Sequence, residues 1–333
     1  MHDGALLDAT VVVPDEILRD RPKLLLVTHK KPDTDALACI WFIIRFVMGP
    51  NADYEIQYVR AGERLSEAEE AGYSQVIYVD TGGGDTDQHG KSLTRSSSFK
   101  LLVEKFQPEV DPALLPIIEL TVATDNVEEM SPTSIQQVFL GLPHYYRENS
   151  PETDWSMVIS YVFIALDVLY DREKARLKSE TDLQTQATMI TLPNGMVICD
   201  VGFRPRLRGA AFAKGADVVI WMAPVGKNKF HPGIQVNRKH MRGDSPKLSL
   251  WAVLEELRRA EAKARCVSVR GLDLRQMQPI AEVGAWFGHD SGGLVACGTK
   301  THTPTDAERT VLPPGKIREV VLARLTGFAW NTD

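Results

Sequence analysis

The sequence predicts a two-domain α/β protein, with a parallel-sheet domain first and a smaller α/β domain after it. Three observations lead there. Short apolar runs alternate with helical patterns over the first 80 or so residues, as parallel strands joined by crossover helices require. A long amphipathic helix follows at about 154–180 and ends in a charged segment, DREKARLKSETD, that reads as an exposed connection. A second alternation of strands and a helix then begins. With 333 residues, 44% hydrophobic and 25% charged, the chain is too long for one ordinary domain and apolar enough for two cores. The boundary is expected near 180–185, giving domains 1–182 and 183–333 with a ligand cleft between them.

The elements follow in order. KLLLVT (23–28) is a short continuous apolar run, as a central parallel strand should be. HKKPDTD is then a loop, and Pro32 keeps Lys31 out of the α region, so no helix starts before about Asp33. ALACIWFIIRFVM is a helix buried on most sides; the apolar run Leu37 to Gly49 contains Arg45 and is too short to span a bilayer. YEIQYV (54–59) is a strand, LSEAEEAG (65–72) a helix closed by Gly72, and QVIYVD (75–80) another strand. Helices are expected at about 96–107, 112–123 and 132–141. Beyond the boundary, strands are expected near 187–192, 196–201, 216–223 and 233–237, and a helix at 248–264.

Composition narrows the function. A net charge of −6 argues against a protein that grips long nucleic acid through a broad positive field, though not against a local basic cleft for a short strand. Cys39, Cys199, Cys266 and Cys297 are far apart and form no CxxC pair, so they read as reduced, mostly buried thiols. MHDGALLDAT has neither the basic start nor the apolar stretch of a secretory signal, and a cytoplasmic location is expected.

The strongest chemical signal is His29-Lys-Lys-Pro-Asp33-Thr-Asp35, between an apolar strand and a helix. Open α/β sheets bind ligands at the carboxyl ends of their strands. One imidazole and two carboxylates on one tight loop can converge, and Mg²⁺ or Mn²⁺ favours such an oxygen-rich set. The competing reading makes Asp33 or Asp35 an N-cap and His29 an ordinary loop residue; on this segment alone the two stand level. A second cluster tips the balance. Asp80 ends QVIYVD, TGGG lets the backbone turn sharply, and Asp85, Asp87 and His89 follow. Two such loops on adjacent strands are much rarer than one. Asp125, in ELTVATDN, follows a further apolar stretch; by itself it reads better as a helix C-terminus with Asn126 as the cap.

Together these segments resemble the DHH phosphoesterase superfamily, which includes RecJ-type exonucleases, oligoribonucleases, cyclic-dinucleotide phosphodiesterases and manganese pyrophosphatases. HKKPDTDAL is similar to its first motif, the VD of VIYVDTGGG to its second, Asp87-Gln88-His89-Gly90 to the DHH signature, and Asp125 to its fourth. The pattern VDTGGG…DQHG with a later ATDN resembles in particular the melanocyte-proliferating-gene-related exonuclease branch. FGHDSGGLVACGTKT resembles the glycine-rich end of the family's second, substrate-contacting domain.

The resemblance implies that His29 and Asp33 hold one metal, that Asp35 and Asp125 hold the other, and that Asp80 bridges both. His89 would face the scissile phosphate, making His89 and Asp80 the expected catalytic residues, and Asp87 would orient its neighbours without ligating. Two Mn²⁺ or Mg²⁺ ions, about 3.5–4 Å apart, would clamp a phosphoryl oxygen and activate water. The departure is Gln88, where the family has a metal-binding histidine. A glutamine carbonyl can coordinate, but it is neutral and weaker, so the second position is expected to be weakened. In the second domain His289, Ser291, Gly292, Gly293, Arg238 and Lys300 are the expected substrate-binding residues, able to cradle phosphate through charge and backbone N–H groups. For most other basic residues there, such as Arg206, Arg208, Lys229 and Lys239, a solvated face is the better reading, and Trp286 and Phe287 read as core.

The function expected is metal-dependent hydrolysis of phosphodiester bonds in short single-stranded oligonucleotides. The alternatives are a phosphoanhydride hydrolase acting on pyrophosphate or polyphosphate, and a non-catalytic binding module marked by Gln88. The partners expected are a short oligonucleotide or small phosphorylated substrate, no membrane, and, as one option, a second copy of the chain.

Overall fold

The computed structural model describes residues 24–49, 51–88, 95–107, 109–128, 131–149, 155–227, 229–241, 248–298 and 303–328. The chain divides into two compact units, Met1–Ala175 and Arg176–Asp333, and both mix helices with a sheet.

The first unit is built on a three-stranded sheet of order β2-β1-β3, with β1 Leu24–His29, β2 Tyr54–Val59 and β3 Gln75–Tyr78. Both pairings are parallel, so all three strands deliver their carboxyl ends to one edge. The apolar run explains the centre: Leu24 to Val27 are at most 1% exposed, as a strand flanked on both sides and covered on both faces must be. Helix α1, Thr34–Phe42, is buried along its whole length and passes into a π-helical turn, Ile43–Met48, that ends at Gly49 with φ +82°. The expected helix at 65–72 shrinks to the single turn α2, Glu67–Glu70, held by a capping box between Ser66 and Glu69. Next come α3 Ser98–Phe106, α4 Leu115–Asp125 behind a 3₁₀ turn at Pro112–Leu114, and α5 Ile135–Asn149. Trp41 and Phe42 of α1 meet Phe99 of α3, and Trp41 also meets Tyr170 of helix α6, Trp155–Gln186.

Helix α6 corrects one expectation. DREKARLKSETD is not a break; it continues the helix to Gln186. Its residues are good helix formers without Pro or Gly, and Arg176 pairs with Glu180 one turn on. Charge kept the segment exposed without unwinding it.

The second unit has a six-stranded sheet of order β4-β5-β6-β7-β9-β8, with β4 Thr188–Thr191, β5 Val197–Asp200, β6 Val218–Gly226, β7 Lys229–Val236, β8 Trp286–Gly288 and β9 Leu294–Cys297. Only β5 and β6 run parallel. Alternation along β6 splits the core in two. Val218, Ile220 and Met222 join Ile198, Ile234 and Val236 beneath α8 Trp251–Ala264 and α9 Pro314–Thr326. Val219 and Trp221 face the other way, onto α7 Arg208–Ala213 with Cys199 and Val201. Two charged residues of α8 are wholly buried. The Arg258 guanidinium donates to the carbonyls of Leu274, Gln276, Gln278 and Trp286 at 2.6–2.9 Å. Glu261 accepts from Arg265, Trp286 Nε1, Thr310 Oγ1 and the Val311 amide.

Cys39, Cys199 and Cys297 are buried and Cys266 is exposed, none in a disulfide. Among the described residues no helix is long and apolar enough to cross a membrane.

Candidate metal centre

Parallel pairing places the centre. Val27 lies opposite Tyr78, and the Val79 amide donates to the Val27 carbonyl, so continuing the register sets His29 beside Asp80. His29 Nε2 and Asp80 Oδ2 are 3.2 Å apart. Asp33 joins them from the loop after β1, and one ligand atom from each of His29, Asp33 and Asp80 lies within 4.8 Å of the others. Among the described residues no other group of three His, Cys, Asp or Glu side chains converges in this way.

Asp33 does two things. It is the N-cap of α1, with Oδ1 accepting from the amides of Asp35 and Ala36 at 2.9 and 3.1 Å, and it stands in the His29–Asp80 group. The cap reading of this loop is met by Asp33, and the same side chain stands within reach of His29 and Asp80. Asp35 is placed differently. It is fully buried, and its oxygens accept from the amides of Ser98 at 2.7 Å and Phe99 at 3.0 Å, the first amides of α3. A carboxylate at a helix N-terminus is favoured by the unsatisfied N–H groups and the helix dipole there.

Asp80 is 2% exposed and adopts φ +51°, the left-handed region. The following glycines continue the turn with φ +79° at Gly82 and +67° at Gly83. Asp87 holds that turn closed: its Oδ2 accepts from the Gly83 amide at 2.8 Å. Gln88 is buried with its amide nitrogen 3.2 Å from Asp80 Oδ1 and 3.1 Å from Asp125 Oδ1. Its carbonyl oxygen accepts from Ser98 Oγ, which also lies 3.2 Å from Asp80 Oδ1. Asp125 is the last residue of α4, with Asn126 as C-cap. Asp35, Asp125 and Gln88 thus surround the His29–Asp33–Asp80 group without belonging to it. Asp85 points away, exposed and 3.4 Å from Lys105. His89 lies outside the described residues.

Ser98 was not legible as a site residue. The signal available was SSSFKLL, in which Ser97 supplies the N-cap of α3; its neighbour then reaches Asp80 and Gln88.

The electrostatics are those of a site short of positive charge. Burial raises the pKa of Asp33, and the charge of Asp80 raises it further. Asp35 is held well above the usual carboxylate range, by burial first and by Asp80 and Asp33 next. For His29 burial works downward, but the hydrogen bond and charge of Asp80, with Asp33 and Asp87, outweigh it and the imidazole pKa rises. Among the described residues neither Asp33 nor Asp35 has a lysine or arginine partner. One imidazole and two carboxylates converging where buried acids crowd one another is a donor set that fits a hard divalent cation.

Of the substrate-binding residues expected in the second unit, Arg238, His289, Ser291, Gly292 and Gly293 lie at one end of its own sheet. The Val236 amide donates to the Gly293 carbonyl, which brings Arg238, just past β7, to the same end as the β8–β9 turn. In that turn His289 Nδ1 lies 2.9 Å from Ser291 Oγ and 2.6 Å from Asp290 Oδ1, and both His289 and Arg238 are exposed. The glycines are spoken for by local packing: a Cβ on Gly292 would come within 2.6 Å of Ser249 Oγ, and one on Gly293 within 3.0 Å of Met241. Lys300 lies outside the described residues. Most other basic residues are paired: Arg206 with Asp182, Lys229 with Asp306, and Lys239 and His240 with Asp217, while Arg208 stacks on Trp221. Trp286 is fully buried and Phe287 partly so.

No family model and no curated protein matches the chain. Among solved structures, it is similar to a DHH-domain protein described as a member of the s1p family of ribosomal proteins, with 11% identity and a TM-score of 0.29 over 92% of this chain and 87% of that one. An exopolyphosphatase-related protein from Bacteroides fragilis gives 12% identity and 0.23 over 92% and 93%. Exonuclease RecJ bound to manganese gives 10% identity and 0.28 over 95% and 93%. Likeness of that order adds nothing to the site, which rests on its own geometry.

Proposed function

We propose that this chain is a divalent-metal-dependent phosphoesterase of the DHH type, acting on phosphodiester bonds of short single-stranded oligonucleotides. The observation that carries the reading is the convergence of His29, Asp33 and Asp80 within 4.8 Å at the carboxyl ends of two adjacent parallel strands. The motifs HKKPDTDAL, VIYVDTGGG and DQHG supply the family, and the last two with ATDN the melanocyte-proliferating-gene-related branch. A bound Mn²⁺ or Mg²⁺ supplies Lewis-acid polarisation of a phosphoryl oxygen and a water acidic enough to attack it.

The chain's own residues prepare that chemistry. His29 and Asp33 present one nitrogen and one carboxylate from a loop whose geometry is set by the α1 cap. Asp80 Oδ1 accepts from the Gln88 amide, and its Oδ2 lies 3.2 Å from His29 Nε2, so these last two atoms can face one cation. Asp87 fixes the glycine turn behind it.

The test is product release with Mn²⁺ or Mg²⁺ from an RNA 5-mer, a dinucleotide, a cyclic dinucleotide and pyrophosphate, comparing wild type with Asp80→Asn. Turnover of an oligonucleotide that falls at least about 100-fold in the variant supports the reading. Release of phosphate from pyrophosphate alone would move the substrate to the phosphoanhydrides. Folded wild-type protein that turns over nothing and binds no metal would sink the enzyme reading and leave a binding module.

A further inference from the structure

We infer that the centre holds one divalent cation, on His29, Asp33 and Asp80, and that the Gln88 side-chain amide stands where a second cation would otherwise be shared by Asp80 and Asp125. This rests on the metal-dependent reading above and sharpens its stoichiometry.

A primary amide nitrogen carries two protons. Here it has two carboxylate acceptors, Asp80 Oδ1 at 3.2 Å and Asp125 Oδ1 at 3.1 Å. The group therefore does, with two N–H bonds, what a shared cation does by coordination: it lies between two acids and offsets their repulsion. Its direction is fixed from the other end, because the Gln88 carbonyl accepts the Ser98 hydroxyl. Turning the amide over would set its oxygen against two carboxylate oxygens and would leave Ser98 Oγ facing an N–H donor.

The remaining donors for a second cation are poor. Asp35 spends its oxygens on the first amides of α3, at 2.7 and 3.0 Å, inside a fully buried pocket. Freeing either oxygen leaves a buried N–H without a partner, which opposes its recruitment by a cation. Position 88 offers a neutral carbonyl turned toward Ser98 where an imidazole nitrogen would be a far better ligand. Asp80 divides its two oxygens accordingly: Oδ2 lies toward His29 and the first cation, and Oδ1 belongs to the amide.

The experiment is Mn²⁺ binding to the purified full chain, by calorimetric titration and by metal analysis after gel filtration, with electron paramagnetic resonance of the loaded protein. Wild type should bind one equivalent and give a single-ion spectrum. Gln88→His should take up a second equivalent and show the spectrum of two coupled ions; Gln88→Glu, which also presents a ligand at that position, should do the same if the histidine variant folds poorly. Two equivalents in the wild type, or one equivalent in both well-folded variants, would overturn the inference while leaving the metal-dependent reading intact. No Mn²⁺ in the wild type would overturn that reading itself, and the inference with it.

Discussion

Both units bury charge, and they do so in opposite ways. In the second unit Arg258 and Glu261, both inaccessible, are held by several partners each: four carbonyls for the two terminal nitrogens of the guanidinium, and an arginine, an indole, a hydroxyl and an amide for the carboxylate. In the first unit the half-buried Asp33 and the buried Asp35 accept from backbone amides, among the described residues neither pairs with a lysine or arginine, and Asp80 adds a like charge to both. A buried charge held by this many partners is a staple, here tying α8 to the 274–286 loop. An under-compensated group of acids at the ends of parallel strands is a receptor for something positive. The contrast separates structural from functional burial without reference to sequence relatives.

Removing the staple should have the largest effect. Arg258→Ala leaves four carbonyls facing a cavity and should destabilise the second unit by about 3–5 kcal/mol. Pulse proteolysis with peptide mapping would show it as cleavage confined to residues beyond 176, with Mn²⁺ binding to the first unit retained. Equal loss in both units would break the distinction.

Asp33→Asn comes next, because it parts the two duties of one side chain. Asparagine is as good an N-cap as aspartate, so α1 should keep its stability or gain slightly as a buried charge disappears. Groups that merely support ligands are worth about 10–100-fold in metal affinity, so Mn²⁺ should bind at least about 10-fold more weakly here. Unchanged affinity by calorimetry would make Asp33 a cap and nothing more.

The smallest effect is a difference in pH response. Asp33 and Asp35 have raised pKa values, so just above the ordinary carboxylate range the folded state holds protons that the unfolded state has released. Stability of the metal-free first unit therefore falls as pH rises through those folded values. His29 adds the same sign: its contribution is full below about 6.5 and is lost as pH rises through its raised value. Asp217 behaves oppositely. Burial raises its pKa, but Lys239, the Val197 amide and His240 together bring it below the ordinary value. Its stabilisation is present above about pH 4 and is lost as pH falls through the folded value. Urea unfolding of the metal-free chain, resolved by unit between pH 3.5 and about 8, should show slopes of opposite sign, and saturating Mn²⁺ should flatten the first. Parallel slopes would refute the assignment.

How much of this was legible in the sequence follows from how local each cause is. Strand β1 was visible because a strand covered on both faces must be a continuous apolar run, as KLLLVT is, while β2 and β3, half-buried, were visible as the short β-branched and aromatic runs YEIQYV and QVIYVD. His29, Asp33 and Asp80 could be placed together because two loops ending adjacent parallel strands share an edge. The withdrawal of Asp35 was not visible, since its partners lie 63 and 64 residues away on a helix whose docking no local pattern records. Gln88 was legible as a departure but not as a bridge, because its second acceptor is 37 residues on. In the second unit β8, with three residues, and β9, with four, are too short for periodicity to register. Helix α7, at six residues, escapes for the same reason, while α9 opens on Pro-Gly and alternates charge with its apolar face, so it resembles a loop until its core contacts are known.

The left-handed backbone of Asp80 has a consequence for how this chain would respond to selection. With φ +51° at a residue other than glycine, the fold keeps an uncomfortable backbone conformation at a position whose side chain the proposed site needs. Glycine there would relax the turn, and asparagine would ease both turn and charge. A population screened for heat resistance alone should therefore accumulate Gly or Asn at position 80, and each such winner should have lost the metal. Thermal tolerance and chemistry compete for one codon.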